Sequence, residues 1–319
     1  MPHIYITGAA GFVGSHAAER FIELGWKVTA VDNFITGRQG NLKEMMAHPC
    51  FAFYESDVSL PLPESRLGPV DTVLHLACPA SPRDYLKHPV ETMKAGSLGT
   101  FHTLDLARRH QARYVLASTS EIYGDPEVHP QREDYWGHVN PVGPRAVYNE
   151  AKRFAEALVM AHHREYGMDT VILRFFNTYG PRMNPEDGRI IPNFAMQALE
   201  GRPLTVYGDG SQTRSFCYIA DLVEGIVRSI TEPKAIGEVM NLGNPAEYTV
   251  RDMADILLRL TGNKGTIEHL PPMEDDPKRR RPDISKAKRL LKWEPAIGLE
   301  EGLRRTLDYF AAYARGGIR

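Results

Sequence analysis

Tyr148 and Lys152 stand four residues apart in Tyr148-Asn149-Glu150-Ala151-Lys152, a step that places both side chains on one face of a helix. An ammonium beside a phenol favours the phenolate, so the pair reads as a general base for an alcohol, with the phenol drawn down from its ordinary pKa of about 10. The spacing is also common by chance, and a solvated helix face is the competing reading. Upstream, Ala117-Ser118-Thr119-Ser120-Glu121-Ile122-Tyr123-Gly124 closes a run of strand character, where an open α/β sheet presents its reactive groups. Thr119 there can hydrogen-bond the oxygen that Tyr148 deprotonates.

A second constellation is Gly8-Ala9-Ala10-Gly11-Phe12-Val13-Gly14, a G-x-x-G-x-x-G loop between the first strand-like run and the first helix-like one. Gly8, Gly11 and Gly14 suit a tight turn, a close backbone approach to a diphosphate, and helix packing on the sheet. The helix start offers unpaired N–H groups and the positive end of its dipole. Asp32, at the end of the second strand candidate, can accept from both hydroxyls of an adenosine ribose and would repel a 2′-phosphate. Together these point to NAD rather than NADP, with Arg38 close by. Asp57, after the third strand candidate, is either an adenine contact or an ordinary turn aspartate.

The elements that must hold these residues alternate. Strand candidates are His3–Thr7, Lys27–Asp32, Phe51–Glu55, Asp71–Ala77, Arg113–Ser118 and Thr170–Arg174. Helix candidates between them include Gly11–Leu24, Pro89–Arg109 and Val147–Tyr166. This rhythm predicts an α/β fold built on a Rossmann-type doubly wound parallel sheet. After Asn177 proline and glycine cluster and the rhythm is lost. A cofactor domain over 1–177 and a smaller C-terminal α/β substrate domain over 178–319 are therefore expected, with a segment near 212–242 returning to the first.

The 319 residues carry 38 Lys and Arg against 40 Asp and Glu, for a formal net charge of −2. Such a chain has no basic excess to pair with a phosphate backbone, so nucleic acid is not an expected partner. No run approaches the ~18 apolar residues of a membrane span, and no membrane partner is expected. The N-terminus, Met1-Pro2-His3-Ile4-Tyr5, leads directly into strand-like sequence, and a cytoplasmic protein is expected. Cys50, Cys78 and Cys217 are odd in number and lack metal-ligand spacing; they read as small buried hydrophobes, and no metal is expected.

Longer stretches carry a resemblance. Asp32-Asn33-Phe34 with Thr36-Gly37-Arg38, His75 to Pro82, Ser118 to Pro126, His129-Pro130-Gln131, Tyr135-Trp136-Gly137, Asn140-Pro141 with Gly143-Pro144-Arg145, Phe176 to Arg182, and Thr205 to Gly208 with Gln212-Thr213-Arg214 resemble the extended short-chain dehydrogenase/reductases that modify nucleotide sugars. The likeness covers essentially the whole chain and is greatest to the UDP-glucuronate decarboxylases, or UDP-xylose synthases.

The resemblance implies that the sugar 4-hydroxyl is oxidised by NAD, with Tyr148 as base, and that the resulting ketone lies β to the C6 carboxylate, whose loss it drives. Related 4,6-dehydratases carry an Asp-Glu pair after the threonine. Here Ser120-Glu121 stands instead, so the acid for a leaving hydroxyl is missing. By resemblance, Arg280 orients the carboxylate or a water, and Glu121 delivers a proton or places the ring. Phe12, Val13, Asn33, Val58, Leu76 and Ala77 join the cofactor wall. Asn193, Arg214 and Arg280 hold the substrate diphosphate with Tyr207 and Gln212 nearby; Ser120, Asn177, Arg182 and Tyr85 complete the substrate contacts. The rest of Lys278-Arg279-Arg280-Arg281 reads as a solvated run balanced by Glu274-Asp275-Asp276. A homodimer through helices Pro89–Arg109 and Val147–Tyr166 is implied as well.

The sequence departs from the family pattern at Val147, Asn149 and Ala151, where cysteine, aspartate and glycine are usual. It also departs at Gly96, where asparagine is common, and at Pro192, where serine is. A 4-epimerase, a decarboxylase that releases a 4-keto pentose with NADH, and a non-catalytic dinucleotide-sensing module stay open as alternatives.

Overall fold

The computed structural model describes residues 1–61, 67–263, 265–271 and 279–316. Lys278 and Glu274-Asp275-Asp276 lie outside the described residues. The central sheet has seven strands: β1 (His3–Thr7), β2 (Lys27–Asp32), β3 (Phe51–Glu55), β4 (Thr72–His75), β5 (Arg113–Thr119), β6 (Thr170–Phe175) and the strand Glu238–Leu242. Spatially the order is Glu238–Leu242, β6, β5, β4, β1, β2, β3, and each neighbouring pair is parallel. Helices cover both faces of such a sheet, which is why its central strands are buried along both faces rather than alternately buried and exposed. All five residues of β1 are buried.

Between β1 and β4 the strand order reverses, and ligands of open α/β sheets bind above the C-terminal ends of the strands at such a point. The Gly8 loop follows β1, Asp32 ends β2, Asp57 follows β3, Leu76 and Ala77 follow β4, and Thr119 ends β5. The fourth strand is shorter than its sequence suggests because Leu76 and Ala77 have already left the ladder.

Helix α1 (Phe12–Glu23) starts at the glycine loop, and the short α2 (Pro82–Lys87) follows β4. The helix expected over Pro89–Arg109 is interrupted: α3 (Pro89–Lys94) passes through one wider π turn, Ala95–Gly99, into α4 (Thr100–His110). Helix α5 (Ala146–Tyr166) carries Tyr148 and Lys152. It is tied to the sheet by a partly buried ion pair, in which Arg174 of β6 donates from Nε and Nη2 to the two carboxylate oxygens of Glu156 at 2.9 and 2.7 Å. The Ser118 hydroxyl donates to the same carboxylate, and Arg174 also donates to the Tyr123 hydroxyl at 2.9 Å.

Among the described residues the later part of the chain adds three small sheets, one of which pairs Thr178–Tyr179 with Cys217–Tyr218. Leu204–Tyr207 pairs with Ile267–Leu270, and Thr213–Ser215 lies between Glu247–Thr249 and Arg279–Arg280. Helix Ile219–Thr231 packs back on α1 before the chain re-enters the central sheet at Glu238–Leu242. Among the described residues no helix is long and apolar enough to cross a membrane.

Candidate active site

One long cleft of about 550 Å³ runs from the glycine loop to the small sheets. At its first end the backbone is pressed against itself. Gly8 has φ +70°, and a Cβ there would lie 2.8 Å from Ala77; a Cβ at Gly14 would lie 2.1 Å from the Gly8 carbonyl. Only glycine fits either position. Gly11 starts α1 without a side-chain cap, which leaves the first-turn N–H groups for an anion. Asp32 is fixed above them, accepting from Ala10 N at 3.0 Å and Phe34 N at 2.8 Å. Burial pushes its carboxyl up, and these backbone donors oppose the shift. This cradle fits a dinucleotide diphosphate with an adenosine ribose at Asp32. Phe12, Val13, Asn33, Arg38, Asp57, Val58, Leu76 and Ala77 line the same end. Asp57 accepts from Asn33 Nδ2 at 3.2 Å and from Ser59 N at 2.8 Å. Arg38 is held by the C-terminal helix, donating to the Tyr309 hydroxyl at 3.4 Å and lying over the Tyr313 ring.

Thr119, Ser120, Glu121, Tyr148 and Lys152 meet at the middle of the cleft. Thr119 hydrogen-bonds the Tyr148 phenol. The Lys152 ammonium donates to the Ala117 carbonyl at 2.7 Å, and burial pushes Tyr148 well above its ordinary value, opposed by the Thr119 hydrogen bond and the charge of Arg189. Burial likewise lowers the pKa of Lys152. Tyr85 needs correction as a sugar contact. It is buried outside the cleft lining, and its ring stacks flat on that of Tyr148 at 5.2 Å, so it is a backing for the tyrosine.

The substrate half of the cleft is cationic. Arg280 donates to one oxygen of the Glu121 carboxylate, and Arg145 donates to the other at 2.9 Å. Burial alone would raise the Glu121 carboxyl, but Arg280 and then Arg145 outweigh it and hold it at about 2. Among the described residues, Nε and Nη2 of Arg280 are buried without a partner. Arg214 sits at the paired position on the adjoining strand, and Arg182, Asn177, Asn193, Tyr207 and Gln212 line the surrounding wall. Arg182 is shared with Glu19 of α1 at 2.9 Å. Asn193 donates to the Gly188 carbonyl at 3.1 Å and Gln212 to the Tyr207 carbonyl at 2.8 Å.

Sequence reasoning missed Arg145 and Arg189. Arg145 had a signal, lying three residues before Tyr148 at the helix start; Arg189, bound to Asp187, had none. The cysteines need correction too: Cys217 is buried, but Cys50 is partly exposed and Cys78 lines the cleft.

A seven-stranded parallel sheet with a dinucleotide cradle and a buried tyrosine on a long helix defines a class of nucleotide-dependent oxidoreductase folds. The chain belongs to the NAD dependent epimerase/dehydratase family, whose model matches residues 4–243, and its cofactor is NAD. It is 51% identical over 308 residues to UDP-glucuronic acid decarboxylase 1 of Danio rerio, covering 97% of this chain and 72% of that protein. It is 50% identical over 307 residues to UDP-glucuronic acid decarboxylase 1 of Arabidopsis thaliana, covering 96% and 69%. A structure of UDP-glucuronic acid 4-epimerase from Bacillus cereus with UDP-glucuronic acid and NAD superposes with a TM-score of 0.88 at 30% identity, covering 98% of this chain and 99% of that one.

Proposed function

We propose that this protein decarboxylates UDP-glucuronate to UDP-xylose, with no net redox change. The observation that carries the reading is the Arg145–Glu121–Arg280 cluster beside Tyr148, with two Arg280 nitrogens left to bind an anion. The diphosphate common to all nucleotide sugars can engage Arg214 and part of Arg280, and a uronate adds a second counter-charge for the remaining Arg280 nitrogen next to the carbon that reacts, which the sugar of a neutral hexose does not. Identity of about 50% to proteins named UDP-glucuronic acid decarboxylase supports the same reaction.

NAD, when bound, accepts the hydride from C4 of the sugar and gives it back. Tyr148 takes the 4-hydroxyl proton as its phenolate, which the neighbouring Lys152 ammonium and the positive nicotinamide of bound NAD would favour against burial, while Thr119 holds the same oxygen. The 4-ketone then accepts the electron pair of the C5–C6 bond as carbon dioxide leaves, giving an enolate. Arg280 orients the departing carboxylate. Glu121, ionised at neutral pH, holds the two guanidiniums rather than supplying the C5 proton, which comes from water ordered by that cluster. Tyr148 returns its proton to the C4 oxygen.

Incubation with UDP-glucuronate and NAD is expected to release carbon dioxide and UDP-xylose in equal amounts. Clean epimerisation at C4 without carbon dioxide, or accumulation of NADH with a 4-keto pentose, would overturn the proposal. The protein also acts as a homodimer in this reading. Met93 of α3, Leu98 of the π turn and Phe101 of α4 lie exposed alongside Phe154 of α5, an apolar face that a second copy covers.

A further inference from the structure

Two of the departures from the family pattern meet at one point. Gly96, in the π turn, faces Ala151 of α5: a Cβ built on Gly96 would lie 2.6 Å from the Ala151 Cβ and 3.0 Å from its carbonyl oxygen. Both residues are buried. Real Cβ atoms do not approach so closely, so the two helices have reached the limit that hydrogen at 96 permits, and the methyl of Ala151 fills the space. Any side chain at 96, asparagine included, would meet the Ala151 methyl; here the bulk stands on the opposite helix.

The contact has leverage on the chemistry. Ala151 is three residues after Tyr148 and one before Lys152. On its other side the π turn touches the cofactor wall: Ala95 lines the cleft, and a Cβ at Gly99 would lie 2.8 Å from Val58. Thr100 and Thr103 donate to the carbonyls of Gly96 and Gly99 at 2.8 and 2.7 Å, satisfying backbone acceptors that the wider turn disturbs. π turns inside helices often mark functional sites, and this one bridges the cofactor wall and the catalytic helix.

We infer that Gly96 and Ala151 form a complementary positioning pair that sets the distance of the Tyr148/Lys152 helix from the cofactor wall. The inference rests on the reaction proposed above only in using it as a readout. A methyl at 96 must push α5 outward or shift the turn, and a misplacement near 1 Å at reacting groups costs about 10²-fold in rate.

The test is a double-mutant cycle on the full chain. Gly96→Ala is expected to lower kcat on UDP-glucuronate by about 10- to 100-fold, to leave KM within about threefold because the substrate-side arginines are untouched, and to move the ascending limb of the pH–rate profile. Adding Ala151→Gly to Gly96→Ala is expected to restore kcat and the profile, although Ala151→Gly alone lowers Tm by a few degrees through its helix propensity. Melting curves and NAD titrations of each variant separate rate from folding. Unchanged kcat in Gly96→Ala, a loss matched by its unfolded fraction, or no rescue in the double variant would overturn the inference. A wild-type chain inactive on UDP-glucuronate would instead count against the proposed reaction.

Discussion

Arg214 and Arg280 occupy paired positions on two parallel strands, Thr213–Ser215 and Arg279–Arg280, and both side chains are buried. Like charges on neighbouring strands repel, and Glu121 engages Arg280 while Arg214 Nη1 donates to the Thr213 carbonyl at 2.8 Å. Both guanidiniums border the cleft, and their planar forks match phosphate oxygens. Arg214→Gln is therefore expected to weaken UDP binding by about 10- to 100-fold, the loss of one charge-assisted contact. NAD affinity should stay within about twofold, since Arg214 belongs to the opposite end of the cleft. Calorimetric titration with UDP and with NAD checks both halves; an equal loss for the two ligands would count against the assignment.

Legibility differed by the kind of physics involved. The six strands from β1 to β6 could be read because buried parallel strands are apolar runs set between turn residues, and the glycine loop because its spacing serves one purpose. The π turn could not be read, since Gly96 and Gly99 look like tolerated glycines until Ala151 is seen against one of them. Tyr85 was misplaced because its position after Pro82 says nothing about which side its ring faces. Glu121 and Arg280 lie 159 residues apart and were joined only by family resemblance. Arg145, adjacent in space to both, was overlooked. Helical spacing fixes the shared face of Tyr148 and Lys152, but the Ala117 carbonyl decides where the Lys152 ammonium goes.

The clamped carboxylate makes stability depend on acid. Folding lowers the Glu121 pKa from 4.5 to about 2. A depressed carboxyl contributes fully above its unfolded value, and the contribution is lost as pH falls from about 4.5 toward 2. Glu121→Gln keeps the shape without the charge, so the stability gap between wild type and variant should shrink by about 2 kcal/mol between pH 5 and pH 3. Urea unfolding at the two pH values measures it. A gap that stays constant would mean that the carboxylate is not the group titrating. At neutral pH the variant should also lose turnover, because Arg145 and Arg280 lose their common anchor.

The last prediction concerns the exposed face formed by α3, the π turn, α4 and α5. Phe101 and Phe154 are 45% and 42% exposed with ring centroids 6.0 Å apart, and Met93 and Leu98 extend the same patch. Contiguous apolar surface of this kind marks an interface in soluble proteins, and a stable one removes about 800 Å² per partner from water. Two antiparallel copies of a paired-helix face meet by a twofold axis, so one substitution acts twice in the assembly. Phe101→Asp buries two carboxylates without partners and is expected to convert dimer to monomer at micromolar concentration, as sedimentation velocity reports. Because neither Phe101 nor Phe154 lines the cleft, NAD binding per chain should persist in the monomer. Wild-type protein that sediments as a monomer at the same concentration would remove the dimer from the proposed function while leaving the active-site assignments intact.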